Sequence, residues 1–261
     1  METDKYFDKS FKPPFCRQGN KYTTRRHILK WFPSDIPVYV ELFAGTAAIF
    51  FNKEEKSRRN ILNDLDKNVI DRFRLLKKAP AWDTGWRNDL NTLPKIKRFF
   101  SVHGSSIQDK ILFEKIRTCN GFSGKPVTKP QEIYRSYNPI SILDDLADYK
   151  DMLTGVVLTN KDYSDIVDKY DGLGTFFFID PPYEGTPKSH GYASGSNDFD
   201  YQRLCHVLFR IRGRFLMTIN DSSRIRSLFK GFHIVPLEVY TTWGNSSGGQ
   251  EKRKELIIMN Y

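Results

Sequence analysis

Apolar runs alternate with amphipathic stretches near both ends of the chain and lose that rhythm in the middle. Val38-Tyr39-Val40-Glu41-Leu42 reads as a strand, followed by Gly45 and an apolar helix start. Asn60-Ile61-Leu62-Asn63-Asp64 reads as a second strand, and a helix is predicted from Asp66 with Val69, Ile70 and Phe73 on one face. The pattern resumes with a strand over 155–159. Next comes Thr175-Phe176-Phe177-Phe178-Ile179-Asp180, whose unbroken apolar run predicts burial on both faces, as in a parallel sheet. Residues 215–219, 233–239 and 255–259 are further strands, with helices predicted over 200–212 and 222–229. Strands alternating with helices predict an α/β fold, a Rossmann-like and mostly parallel doubly wound sheet.

Residues 71–152 break the rhythm. They hold Trp82, Trp86, several helical stretches and a polar run with Gly and Pro over 121–137. The reading is a mainly helical insertion, with 1–70 and 153–261 forming one α/β domain around it. Residues 87–137 carry ten Lys/Arg against four Asp/Glu, and 11–30 carry six Lys/Arg and no acid. The whole chain has a formal charge of +10, so the remainder is slightly acidic. A charge run is most simply a solvated face. Here the charge is confined to two segments that flank the strand-end turns described below, which favours phosphate contacts. The balance alone fits DNA, RNA or an anionic membrane surface.

Hydrophobic residues at 39% and aromatics at 14% support a packed core and exclude wholesale disorder. No apolar run approaches the ~18 residues that span a bilayer. The opening METDKYFDKSFKPP has acids and no apolar core, so it is not read as a secretory signal, and a cytoplasmic protein is expected. Cys16, Cys119 and Cys205 lie far apart and form no CxxC, which reads as incidental thiols in a reducing compartment. The five histidines show no ligand spacing, so no metal is expected. A monomer is the default expectation.

The sharpest chemical feature is Asp180-Pro181-Pro182-Tyr183, at the carboxyl end of the most hydrophobic strand, where open α/β sheets bind ligands. Two prolines stiffen the turn, and Pro182 has no N–H to engage the Pro181 carbonyl. An acid beside a free carbonyl presents two acceptors, which match the two hydrogens of an exocyclic amine. Tyr183 adds a flat face for a nucleobase. A strand-ending turn with a solvent-facing Asp is the bland alternative. The second feature is Glu41-Leu42-Phe43-Ala44-Gly45-Thr46-Ala47 at the first strand-to-helix turn. There Gly45 permits close backbone approach, and the helix start favours the carboxylate of a bound amino acid. The third is Asp64, placed at the end of the second strand to accept from a ribose diol, or else to cap a helix.

Together these features resemble the amino-methyltransferases of the alpha arrangement, in particular the Dam-type DNA adenine methylases, over nearly the whole chain. Gly19-Asn20-Lys21-Tyr22 resembles the family's Gly-Gly-Lys-Tyr, whose Lys contacts the cofactor. Val40-Glu41-Leu42-Phe43-Ala44-Gly45 resembles Val-Glu-Pro-Phe-x-Gly, and Leu62-Asn63-Asp64 the segment whose Asp holds the cofactor ribose. Residues 160–163 fall where the family contacts the cofactor adenine, which implicates Asp162 and Tyr163. Asn120-Gly121-Phe122 is similar to a segment of the family's DNA-reading region. Gly248-Gly249-Gln250-Glu251-Lys252-Arg253-Lys254-Glu255-Leu256 resembles its closing Gly-Gly-x-x-Lys-Lys and final hairpin strand. Two positions depart: Arg17 stands where the family has a Trp covering the cofactor, and Ala47 where it has a second Gly.

The resemblance implies the S-adenosylmethionine-dependent methyltransferase fold, with 71–152 as a target-recognition domain, and S-adenosylmethionine as cofactor. It places Arg17, Gly19, Lys21, Glu41, Phe43, Ala44, Gly45, Asp64, Asp162, Tyr163 and Asp180 around that cofactor, and Asp180, Pro181, Pro182 and Tyr183 at the catalytic centre. Double-stranded DNA is the implied partner, contacted by Lys115, Arg117, Asn120, Gly121, Lys125, Lys129 and Arg135. The implied reaction is methylation of the adenine N6 amine after base flipping, in the setting of restriction-modification. GATC is the implied site, although the stretch after Gly121 matches the family poorly. Residues 184–197, rich in Gly, Ser and Lys, read as a loop closing over the flipped base or as an ordinary surface loop. Methylation of cytosine N4, of RNA adenine or of a protein amide stays open. So does a non-catalytic DNA-binding protein on a decayed methylase fold.

Overall fold

The computed structural model describes residues 10–11, 13–14, 19–54, 57–78, 148–185, 199–241 and 251–261. After a short helix α1 (Arg25–Leu29), seven strands form one sheet: β1 (Val38–Glu41), β2 (Arg59–Asn63), β3 (Val157–Thr159), β4 (Thr175–Ile179), β5 (Arg214–Asn220), β6 (His233–Thr241) and β7 (Glu251–Met259). Their spatial order is β3-β2-β1-β4-β5-β7-β6. β1 pairs in parallel with both β2 and β4, whereas β7 runs antiparallel to β5 and β6. The expected α/β sheet is therefore present, with one reversed strand near an edge. The chain departs in opposite directions from β1 and β4, so a crevice opens beyond their carboxyl ends.

Period-two alternation within the strands assigns side chains to two cores. In β4, every residue of which is buried, Phe176 and Phe178 face one side and Phe177 and Ile179 the other. The first face is closed by Phe51, Phe73, Leu76, Tyr149 and Leu153; the second by Tyr163, Ile166, Leu204 and Leu208. Each fully buried Phe or Leu contributes roughly 1.5–3 kcal/mol. The helix predicted from Asp66 is α2 (Lys67–Lys78), which runs on past residue 70. With the helical residues 148–153, it packs on the first core. Residues 79–147, which hold most of the expected helical insertion, lie outside the described residues.

Helix starts follow their caps. Asp162 begins α3 (Tyr163–Tyr170) by accepting from Ser164 N–H. Asp200 begins α4 (Tyr201–Arg210) by accepting from Arg203 N–H, and Ser222 begins α5 (Ser223–Leu228) by accepting from Ile225 N–H. Such caps stabilise a helix by about 1 kcal/mol each. The entry to β5 is tightly packed: the Asp171 carboxylate accepts from the N–H groups of Arg212 and Gly213. A Cβ on Gly213 would sit 2.5 Å from the Thr175 carbonyl oxygen.

Candidate functional site

Strand register brings three acids to one end of the sheet. Glu41 pairs with Leu62 and with Phe178, so β1, β2 and β4 end at one level, with Glu41, Asp64 and Asp180 around the crevice. The turn after β1 is held by Ala44 N–H donating to the Asn63 carbonyl at 2.7 Å and by Gly45 N–H donating to Asp64 Oδ2 at 2.9 Å. Both Gly45 (φ 50°) and Ala47 (φ 52°) adopt the left-handed conformation. Gly45 suits that geometry, and a Cβ there would project into open space. Ala47 takes the same conformation at a steric cost of roughly 1–2 kcal/mol.

Asp64 is occupied with the backbone on both oxygens, since Oδ1 accepts from Asp66 N–H at 2.8 Å. The residue at the start of α2 whose side chain takes a backbone N–H is Asp66, which accepts from Asn68. Asp64 therefore shapes the loop between β2 and the cavity instead of capping the helix. Glu41 is 1% exposed, and its Oε1 accepts from the Tyr39 hydroxyl at 2.7 Å and Phe50 N–H at 2.8 Å. Burial outweighs those bonds and pushes its carboxyl up to about 8.

Asp180 follows β4 directly. Its Oδ1 receives Lys21 Nζ at 2.8 Å and the Thr218 hydroxyl at 2.9 Å. Burial holds this carboxyl above the ordinary carboxylate range, although the Lys21 ammonium pulls the other way. Lys21 Nζ also donates to the Gly19 carbonyl and lies over the Tyr183 ring, 4.6 Å from its centroid. Pro181 and Pro182 are buried. The Tyr201 hydroxyl donates to the carbonyl of Pro182, not of Pro181, at 2.8 Å. Tyr183 donates its hydroxyl to Glu255 Oε2 at 2.8 Å, and Asn220 brackets the backbone of Glu184.

A cavity of about 250 Å³ joins these groups; Gly19, Lys21, Glu41, Phe43, Ala44, Gly45, Asp64, Asp162, Tyr163, Asp180 and Pro182, all expected from the sequence, line it. Pro181 and Tyr183 are not among its lining residues. Arg17, Lys115, Arg117, Asn120, Gly121, Lys125, Lys129 and Arg135 lie outside the described residues, as do 186–198 of the expected closing loop. Sequence reasoning passed over Asn63, which donates to the Leu42 and Lys161 carbonyls and ties two loops of the cavity together. It also missed Arg203, which grips the Asp162 carboxylate with two nitrogens and lies over the Tyr163 ring. Burial opposes the Asp162 charge, but Arg203 and Ser164 outweigh it and hold the carboxyl below the ordinary range.

The lining combines acids at the ends of β1 and β2, the backbone of Gly45 and the apolar side chains of Phe43, Leu65 and Phe199. The Tyr163 hydroxyl is buried in the lining with no hydrogen-bond partner among the described residues, which fits a ligand polar group. These are the donor and acceptor types that an amino-acid-bearing nucleoside such as S-adenosylmethionine requires. Among the described residues no group of three or more His, Cys, Asp or Glu is placed to hold a metal, and no helix is long and apolar enough to cross a membrane.

The family model of the D12 class N6 adenine-specific DNA methyltransferases matches residues 18–105 and 110–242. The chain is 24% identical over 270 residues to the type II methyltransferase M.CviBI of Paramecium bursaria Chlorella virus NC1A, covering 96% of this chain and 100% of that protein. It is 23% identical over 274 residues to the type II methyltransferase M1.LlaDCHI of Lactococcus lactis subsp. cremoris, covering 95% of each. Among solved structures, a precorrin-6y C5,15-methyltransferase from Geobacter metallireducens GS-15 superposes with a TM-score of 0.44 at 11% identity, covering 95% of this chain and 93% of that one.

Proposed function

Since the chain belongs to the D12 class of N6 adenine-specific DNA methyltransferases, we propose that it methylates adenine at a fixed sequence in double-stranded DNA, with Asp180, Pro181 and Tyr183 holding the target base. It uses S-adenosylmethionine, which when bound supplies a methyl group on a sulfonium leaving group. Gly45, Glu41, Asp64 and Tyr163 are the residues proposed to hold that cofactor. The observation that carries the reading is Asp180 itself: a carboxylate in the cavity lining, fixed on Oδ1 by Lys21 and Thr218.

The chemistry asked of the chain is positioning and electrostatics. Duplex adenine has its amine paired and stacked, so the base is flipped into the crevice. There the Asp180 carboxylate and the Pro181 carbonyl accept the two amine hydrogens. The nitrogen is drawn towards a pyramidal geometry, and its lone pair is aimed into the cavity. Tyr183 offers a ring face to the base, and the Lys21 ammonium that holds Asp180 lies 4.6 Å from the centroid of the same ring. The surplus amine proton passes to water by way of Asp180, which need not be a strong base. No covalent link to the chain is formed, so no cysteine is required.

GATC is the target that the Dam-type resemblance implies, and the type II names of the two relatives suit a modification methylase paired with a restriction activity. Asp180→Ala is expected to lower methyl transfer by ~10²–10³-fold, as for loss of a group that contacts the reacting atoms. Binding of DNA should stay within about threefold in gel-shift titrations. Retained transfer would remove Asp180 from the centre.

A further inference from the structure

The base-holding turn is anchored from outside the cavity. β5 and β7 pair antiparallel, with Asn220 opposite Glu255 and Thr218 opposite Ile257. Residues directly opposite share a face, and so do residues two apart on a strand, so Thr218, Asn220 and Glu255 form one polar row at the end of this ladder. Each member of the row bonds a different part of the turn. Thr218 holds Asp180 Oδ1, Glu255 holds the Tyr183 hydroxyl, and Asn220 holds the Glu184 backbone on both its N–H and its carbonyl.

The row is not explained by the needs of the core. Thr218 is 0% exposed in the run Arg214-Phe215-Leu216-Met217-Thr218-Ile219-Asn220, whose other interior members are apolar. A valine of nearly the same shape would fill that space without burying a hydroxyl, which costs free energy unless bonded. Its partner is the carboxylate proposed to face the substrate. Glu255 likewise stands midway along β7, immediately before four residues that are buried and apolar. Lys21, Glu41 and Glu255 are the charged groups facing Asp180, and Glu255 adds to the burial that raises it.

Resting on the reading of Asp180 and Tyr183 as the base-holding pair, we infer that Thr218 and Glu255 are positioning residues for adenine transfer. Thr218 fixes the carboxylate plane so that Oδ2 faces the amine, and Glu255 tethers the Tyr183 ring at the angle on which the base stacks. Both act on the geometry of the reacting base and not on cofactor binding.

The test uses the full chain, S-adenosylmethionine and a duplex carrying the site found by sequencing DNA that the wild-type protein has methylated. The variants are Thr218→Val, Tyr183→Phe, Glu255→Gln, Glu255→Leu and the double Tyr183→Phe/Glu255→Leu. Thr218→Val is expected to lower kcat about tenfold, with KM for S-adenosylmethionine within about twofold and Tm unchanged or raised. Tyr183→Phe and Glu255→Leu should each lower kcat about tenfold, and the double variant should be no worse than either single one. Glu255→Gln keeps an acceptor oxygen and should recover most of the rate. With 2-aminopurine in place of the target adenine, the impaired variants should bind the duplex but give an altered fluorescence of the flipped base.

Wild-type kcat in Thr218→Val, additive losses in the double variant, or Glu255→Gln as impaired as Glu255→Leu would each overturn the inference. If Glu255→Leu fails to fold, Tyr183→Phe and Glu255→Gln decide the tether: the first must lose rate and the second keep it. An absence of transfer by the wild-type chain would instead defeat the function on which the inference rests.

Discussion

Glu41 stores a proton that the unfolded chain gives up. Its folded carboxyl titrates near 8 because burial disfavours the charge, whereas an unfolded Glu titrates at about 4.3. Between those values the folded state binds the extra proton, so stability falls as pH rises across the window and levels off above about 8. The sign is that of a raised acid: the contribution is complete below the unfolded pKa and lost through the folded one. Urea unfolding from pH 5 to 8.5 is expected to show this decline, and Glu41→Gln to flatten it. An unchanged slope in the variant would mean that another group carries the linkage. Ala47 is the other residue whose backbone departs from its type. Ala47→Gly would relieve roughly 1–2 kcal/mol of strain. It would also give up about 0.8 kcal/mol of methyl burial and ~0.4–1 kcal/mol of unfolded-chain entropy. The net should be near zero, with Tm within about 4 °C of the parent. A much larger loss would show that the Ala47 methyl is a packing element of the turn. At this scale the sequence was informative about which residues line the cavity, as at Asp180, Glu41 and Gly45. It was silent where two distant residues must meet, as at Thr218 with Asp180 or Glu255 with Tyr183.

Strands were legible because apolar runs bounded by turns leave few other readings. β4, apolar at Phe176, Phe177, Phe178 and Ile179, is the clearest example. Helix starts were legible where a cap preceded an amphipathic run, as at Asp200 and Ser222. α3 went unread although Asp162 caps it and Ile166, Val167 and Tyr170 share its buried face. Its 8 residues span little more than two turns, too few for the apolar period to stand out beside the polar residues that start it. Asp162 turns out to be a helix cap and an ion-pair partner at the cavity edge, roles that do not show in its spacing. The junction of β4 and β5 supplies a stability test at this scale. Gly213→Ala would place a methyl 2.5 Å from the Thr175 carbonyl oxygen and 2.7 Å from that of Gly172, both backbone atoms. The strands would have to separate, at about 1–3 kcal/mol, lowering Tm by roughly 2–12 °C. An unaltered Tm would show that the junction yields freely.

For the molecule as a whole, strand order does what no local segment does. The reversal of strand order between the parallel neighbours β1 and β4 opens the crevice, and their register brings Glu41, Asp64 and Asp180 to its rim. Those acids are separated by more than twenty and more than a hundred residues, so their meeting was inferable only through the fold. The antiparallel return of β7 then supplies Glu255 to the hydroxyl of Tyr183. The central claim is chemical, and the most direct measurement is transfer of labelled methyl from S-adenosylmethionine to unmethylated duplex DNA, with nucleoside analysis of the product. N6-methyladenine is the expected product, appearing at one sequence when that DNA is read. N4-methylcytosine, label only in RNA or protein, or no transfer by a chain that still binds DNA would contradict it.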